Sequence, residues 1–527
     1  MGKGVRGGRA VVGAAAGSLL VLATAGSACN GLFGIQDGTL GASDAATGDD
    51  VTVGGEGGPD GGGDSAHPDG DAGSSGDVAV EAGPDGPQYS APVETPVSVT
   101  DAGGPFLVRT SPSLALGGAN VVVTFDDFDN PNGSVHLDSW ARSTNGGVSF
   151  ADLGQFPDPS ADGGVSDMGY PCIARDAKNG NVYIATNGAV TSAGQYDKLA
   201  FLVSTNGGAT FAPAINAADP SLTTSDYVDV SSIVVDNAAG TGQGVVYLAY
   251  GDYGPSVDVR LSTYSGGNFT YTTAIDLGAG NLASLPFATV GPNHYLYVVY
   301  YSVTGTNPAI GVVRSRNQGA SFDPAVTIAP LHMPFVAGDV NGNLGLEGVG
   351  TDGGPTPVGL YSVPQIVANP VSGALYVSFA DSTQGADKAN IYFTHSEDSG
   401  LTWAAPVKVN DDTTTNDQFL PAIAVTPDGT RLAIDFYDRR NDPANLAADR
   451  YAATATIAGT SVTFGPNLRI SPTSFPLLIA AQGGSTGFFS IHTSMAADAT
   501  YFYDVFADEN VAQKNLDVKL ARYGVLH

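Results

Sequence analysis

From Ala10 to Val108 the 527-residue chain has no lysine and no arginine. Within that span, residues 36–90 hold twelve Asp and Glu among Gly, Pro, Ala and Ser. A segment this poor in large apolar side chains cannot bury enough surface to offset its ordering entropy, so a disordered acidic stalk is expected. Bases are scarce elsewhere too. Of 52 acids and 21 bases, 40 acids and 18 bases remain once residues 1–90 are set aside, a balance near −22. That balance excludes nucleic acid and anionic surfaces as natural partners. There are two cysteines, Cys29 and Cys172, with no CxxC, and the seven histidines show no HxxxH spacing, so structural zinc is not expected. Helical periodicity nearly vanishes after about residue 90, where short runs of Val, Ile, Tyr and Phe alternate with Gly, Asn, Asp and Pro. This is an all-β pattern.

The N-terminus carries Lys3, Arg6 and Arg9 ahead of a short, glycine-interrupted apolar run, as an export signal does. Gly26, Ser27 and Ala28 lead into Cys29, and this resembles the lipobox of bacterial lipoproteins, although that motif usually has leucine where Gly26 stands. The resemblance implies lipidation of Cys29 and a lipoprotein of the bacterial cell envelope or outer membrane, exported and displayed at the surface. Ordinary cleavage near Ala25 or Ala28 is the alternative. The expected organisation is a signal peptide over 1–28, a stalk over 29–88 and a folded domain over 89–527. With Cys29 lipidated no internal disulfide is available, and Cys172 reads as a small buried hydrophobe.

The folded part repeats one unit: an apolar strand, a turn, a strand rich in aromatics, a loop, a third strand and a fourth. First and second strands can be counted seven times, beginning at "PSLALGGANVVVTFDDFD" and ending at "FSIHTSMAADATYFYDVFAD". Repeats of this length call for a propeller. The expected fold is a seven-bladed β-propeller of four-stranded blades, with six blades as the alternative. Between third and fourth strands a box recurs: "STNGGVSF" at 143–150, "STNGGATF" at 204–211, "SRNQGASF" at 315–322 and "SEDSGLTW" at 396–403, with a weaker copy, "STYSGGNF", at 262–269. A tight turn needs left-handed dihedrals, which glycine supplies, beside an Asn or Asp that bonds to the local backbone. The box is therefore read as a device that staples a turn, with its closing aromatic packed on the blade.

These boxes resemble those of the Asp-box (BNR repeat) proteins of the sialidase-like superfamily. The resemblance implies a propeller whose boxes lie on the face away from any active site. It also directs attention to "VRTSPSLAL" at 108–116, similar to the family's Arg-Ile-Pro motif, where Arg109 would bind a substrate carboxylate. In the following segment the family's second arginine is missing, and Asp126, Asp127 and Asp129 crowd the position, with Asp129 as the acid/base candidate. "FYDRRNDP" offers Tyr437 as nucleophile and Arg439 and Arg440 as further clamps, with Glu347 as the nearest partner for the tyrosine. Asp438 and Asp442 could instead hold these arginines between blades.

Second strands repeatedly end in an aromatic followed by an acid: Phe125 with Asp126 and Asp127, Tyr250 with Asp252, Phe379 with Asp381, Tyr437 with Asp438, Phe506 with Asp508. A ring of carboxylates and aromatic platforms suits a polyhydroxyl sugar, a cationic group or a hard cation; solubility and turn chemistry are the alternative reading. In "DVNGNLGLE" Asp339, Asn341 and Asn343 alternate as in calcium loops, but the glycine and glutamate of an EF-hand are absent and a turn-rich insertion is favoured. No cofactor is expected. The functional expectation is a monomeric, surface-anchored propeller that binds a glycan or peptide on its loop face without hydrolysing it. The rival is an exo-glycosidase acting on sialic acid or a related acidic sugar. A final expectation concerns the last repeat, which lacks a fourth strand: residues 92–102, whose "PVSVTD" copies "PVKVND" at 406–411, should pair with residues 515–523.

Overall fold

The computed structural model describes residues 90–98, 109–127, 137–157, 164–167, 169–189, 197–223, 226–254, 256–278, 280–332, 343–349, 354–382, 389–477, 487–488, 492–510 and 515–524. The leader, the whole stalk with Cys29, Asp129, Asp339 and Asn341 lie outside them. Among the described residues every regular element is a strand.

The strands fall into consecutive antiparallel groups. The first is Arg109–Gly117, Asn120–Asp127, Asp138–Ser143 and Ala151–Gln155; the second is Cys172–Arg175, Val182–Ala189, Lys198–Ser204 and Ile215–Asn216, with Ser166–Asp167 extending its inner edge. Val228–Val235, Val246–Tyr253, Val257–Ser265 and Asn268–Ile275 form the third, and Leu282–Val290, Leu296–Thr304, Asn307–Ser315 and Val326–Pro330 the fourth; a single parallel pair, Val257 with Leu282, joins these two into one sheet. The fifth comprises Gln365–Ala368, Leu375–Asp381, Asn390–Ser396 and Val407–Lys408. The sixth is built on Gln418–Val425, Arg431–Asp438, Ala447–Ala458 and Ser461–Phe464. In the last, Ser494–Ala497, Tyr501–Asn510 and Asn515–Gly524 are joined by Val93–Pro96 from the other end of the described chain.

The first strand of each group packs against the first strand of the next, and Ser494–Ala497 also packs against Arg109–Gly117. This is the arrangement of a β-propeller, in which radial repetition protects sheet edges. Side chains on these inner strands accept bonds from the backbone of a neighbouring group: Ile173 N–H to Ser113 Oγ, Ala288 N–H to Ser232 Oγ, Ile423 N–H to the Gln365 side-chain oxygen, and Leu114 N–H to Ser494 Oγ. Second strands are buried almost throughout because a sheet covers each of their faces; Val121–Asp127 and Leu432–Asp438 are examples. That is why they read as continuous apolar runs.

Each of the four full boxes closes the same way. In the first, the Ser143 hydroxyl donates to Asn145 Oδ1 at 2.8 Å and accepts from Gly147 N–H at 2.9 Å, while Ser149 N–H donates to Asn145 Oδ1 at 3.0 Å. Ser204, Asn206 and Gly208 repeat this, as do Ser315, Asn317 and Gly319, and Ser396, Asp398 and Gly400. The glycines hold φ between 79° and 82°. The box also reaches the preceding group: a Cβ on Gly147 would meet Leu520 Cδ2 at 2.5 Å, and the Trp140 indole donates to Gly208 O with Phe211 set edge-on against its ring. The weaker copy at 262–269 is no box. Tyr264 stands where Asn or Asp must accept, so the turn lacks its cap, and Gly266 and Gly267 instead make a two-residue hairpin between the paired Ser265 and Asn268.

One backbone feature went unread in the sequence. Ser111, Tyr170, Leu285 and Leu420 all take positive φ, each directly before a proline, and three of them sit at register shifts near the start of a first strand. Such a conformation before proline is strained and holds only because the surroundings dictate it. Val93–Pro96 pairs with Lys519–Arg522, inside the two stretches expected to meet, and Val97 N–H bonds Val518 O as Val409 N–H bonds Ile391 O. Ser98 Oγ then accepts from Val518 N–H where Asn410 Oδ1 accepts from Ile391 N–H. The structural equivalence runs two residues away from the textual copy.

Candidate functional site

Because the strands are antiparallel, the ends of second strands at Asp127, Tyr253, Asp381 and Asp438 share one face with the starts of third strands at Asp138, Val257, Asn390 and Ala447. All the sequence-derived candidates within the described residues belong to this end.

Arg109 is buried, with Nε 3.3 Å from Asp127 Oδ1 and Nη1 3.2 Å from Asp152 Oδ2, and it lies over the Phe125 ring. Asp127 also accepts from the Ser139 hydroxyl at 2.8 Å. The Tyr437 hydroxyl donates to Ala507 O at 2.8 Å and accepts from Ala507 N–H at 3.1 Å, in a fully buried site where burial pushes its pKa up. Arg439 donates to Asn445 O and to Glu347 O, 3.9 Å from Asp417, and stacks on Phe419; burial lowers its pKa to about 10. So Glu347 meets this region through its backbone carbonyl. Arg440 is gripped by Asp438 at 2.7 Å and Asp411 at 2.6 Å, with a further bond to Asn467. Arg109 and Arg440 thus belong to separate ion-pair sets and share none of these partners.

The other acids are engaged as well. Asp252 binds Arg260 at 2.6 Å, Asp381 accepts from the His332 backbone and pairs with its ring, and Asp508 pairs with Lys519, which also reaches Glu94 at 3.6 Å. The aromatic partners Phe125, Tyr250, Phe379, Tyr437 and Phe506 are all core residues, so they present no platform. Their strands are covered on both faces, which an aromatic-acid dipeptide does not reveal. Asn343 bridges to Tyr361 and caps Gly345 N–H, as a turn residue does. Among the described residues no three His, Cys, Asp or Glu come together to hold a metal ion.

What the structure assembles instead is a cluster of carboxylates from the first three groups. Asp126 and Asp138 are cross-strand partners. Asp126 Oδ1 accepts from Tyr170 N–H, and Asp138 Oδ2 accepts from the Thr186 hydroxyl at 2.6 Å and from Gly169 N–H. Asp167 accepts from the backbone of Leu137 and Asp138, and Asp229 Oδ1 accepts from Asn187 Nδ2 at 2.8 Å. Burial, the largest cause in each case, pushes Asp126 and Asp229 up to about 7. Asp138 is held well above the usual range by burial and by Asp167 and Asp126. None of the largest influences on these three is a basic side chain. Burial first, and for Asp138 the neighbouring carboxylates second, thus favour the protonated forms of Asp126, Asp138 and Asp229. The one legible signal was an acid inside a valine-rich strand, as in "VDVSSIVV" at 228–235. Above the face, Glu347–Val349, Pro355–Gly359 and Gly487–Phe488 form a small sheet. Leu344, Leu346, Leu360 and Tyr361 beside it share a core with Tyr170 and Tyr253.

A second buried centre lies between the last two groups. Arg450 is fully buried and grips Asp504 through Nε at 2.7 Å and Nη2 at 2.9 Å, donates to Leu420 O and Thr493, and lies over the Tyr437 ring. Asp435 accepts from the Tyr523 hydroxyl at 2.6 Å. These contacts tie two sheets together.

No family model matches the chain, and no relative is found among curated proteins. Solved structures do resemble it. The GH93 alpha-L-arabinofuranosidase of Fusarium graminearum, in complex with arabinobiose, is 10% identical with a TM-score of 0.44, covering 82% of this chain and 97% of that one. The endosialidase of phage phi92 is 11% identical with a TM-score of 0.44, covering 84% and 71%. A leech intramolecular trans-sialidase is 13% identical with a TM-score of 0.41, covering 64% and 65%. Likenesses this distant assign no role to any residue here.

Proposed function

We propose that this chain is a seven-bladed Asp-box propeller, closed by the Val93–Pro96 strand, that holds a carbohydrate on its loop face without hydrolysing it. The blade number is supported by the run of four-stranded groups and by the packing of the last inner strand on the first. The closing strand is supported by its four-residue register on Lys519–Arg522. The non-hydrolytic part rests on one observation: the Tyr437 hydroxyl is held between the N–H and C=O of Ala507, with no route to a substrate. A sugar ligand fits the resemblance of the boxes and a loop face whose acids outnumber its bases. Incubating the full chain with a fluorogenic sialoside and a panel of other glycosides tests the proposal. No turnover is expected; turnover abolished by Tyr437→Phe would overturn it.

We further propose that the propeller is displayed on the bacterial envelope through a lipid on Cys29. Cys29→Ser should release the protein from the membrane fraction and block fatty-acid labelling; unchanged fractionation would point to another attachment.

A further inference from the structure

Resting on the carbohydrate reading above, we infer that the loop face is specific for sugars without acidic groups, either uncharged or amine-bearing, and excludes sialic acid and other anionic glycans.

A protein recognises a sugar carboxylate or sulfate with a cation that has valence to spare, usually an arginine presenting two parallel donors. At this end of the molecule each described basic side chain but one is ion-paired with an aspartate; the exception is the exposed Lys408, which donates to the Asp412 backbone carbonyl and lies close enough to the Asp412 carboxylate to favour its charged form. Arg109 lies between Asp127 and Asp152, Arg260 between Asp252 and Asp219, and Arg440 between Asp438 and Asp411. Arg450 is bidentate on Asp504, Arg469 holds Asp449, Lys198 holds Asp197, Lys519 holds Asp508, and Arg439 lies near Asp417. The stretches outside the described residues between Arg109 and Gly524 contain no arginine. They add only Lys388 and Lys514, against Asp129, Asp158, Asp162, Asp339, Asp352 and Asp387.

To bind an anion, such a face would have to break an internal ion pair and then place the ligand's charge beside the released carboxylate. For Arg450 and Asp504, both fully buried, that exposes one uncompensated charge to a dry site. A ligand rich in hydroxyl or amine donors meets no such barrier.

The test is retention of the full chain on an array of neutral, amine-bearing and acidic glycans, at low and high salt. Retention confined to neutral or amine-bearing glycans is expected, with lactose-type structures losing binding when capped by sialic acid. Retention of sialylated or uronic-acid glycans equal to that of their neutral counterparts would overturn the inference while leaving carbohydrate binding intact. Retention of no glycan would overturn the carbohydrate reading and the inference with it. A second arm removes the internal counter-charges: Asp127→Asn with Asp152→Asn, or the more exposed Asp411→Asn should the first variant not fold. Each should raise retention of acidic glycans at least about fivefold, the first by removing both carboxylates that face Arg109 and the second by removing one of the two that face Arg440. No gain in the folded variants would show that charge is not what excludes acidic sugars.

Discussion

Replacing Asp229 with Asn isolates one member of the buried carboxylate cluster. Asp229 is almost completely buried, accepts one hydrogen bond from Asn187, and has its pKa pushed by burial from 3.8 up to about 7. The folded protein therefore favours the protonated form. Stability from this group is fully present below about pH 4, falls as pH rises, and is exhausted above about pH 7. Roughly three pKa units correspond to about 4 kcal/mol across that window, since each unit is about 1.4 kcal/mol. An Asn cannot titrate. It keeps the oxygen that faces Asn187 and places an amide where Oδ2 has no partner, which costs about 1–3 kcal/mol at every pH. The variant should thus be less stable than the parent at pH 4 and equal or more stable above pH 7. Loss of the Asp229 charge also eases ionisation of Asp126, whose pKa it raises, and so flattens the profile further. Denaturant unfolding of both proteins at pH 4, 5.5, 7 and 8.5 gives the difference directly. Parallel stability profiles would refute the argument, because they would mean that Asp229 ionises in the folded protein as readily as in the unfolded one.

Three further outcomes are expected. Gly147→Ala forces a side chain into a φ of 79° and a Cβ to within 2.5 Å of Leu520, and should cost about 2–4 kcal/mol. Gly118→Ala, at a φ of 64° with nothing within 4 Å, should cost only about 1–2 kcal/mol; equal costs by chemical denaturation would deny the stapling role of the box. Deleting residues up to 104 should lower Tm sharply, whereas deleting up to 85 should not. Val93–Pro96 and the buried Val97 satisfy the outer edge of Asn515–Gly524 with hydrogen bonds of roughly 0.5–1.5 kcal/mol each; matching melting curves would mean the strand does not close the sheet. Asp504→Asn strips the fully buried Arg450 of its counter-charge and should cost about 3–5 kcal/mol, measurable as a lowered urea midpoint with secondary structure retained. An unchanged midpoint would mean that Arg450 is neutralised elsewhere.

What the sequence by itself determined is the part built from short-range bonds. The Ser-x-Asn/Asp-x-Gly box closes through contacts two and four residues apart, so four copies could be read letter by letter, and with them the all-β character and the repeat. The same locality shows why "STYSGGNF" misled: its letters are nearly right, but the one acceptor that caps the turn is absent. What only the tertiary structure decided are the partners. Whether Arg109 meets a substrate or Asp152, whether Tyr437 faces solvent or the Ala507 backbone, and whether Asp126 stands alone or beside Asp138, Asp167 and Asp229 all depend on contacts between sheets. An aromatic-acid pair at a strand end reads alike whether it lines a mouth or is sealed by the neighbouring sheet. Burial on both faces, which turned the expected platforms into core and the expected carboxylates into ion-pair partners, is a property of the packed ring and of no single strand.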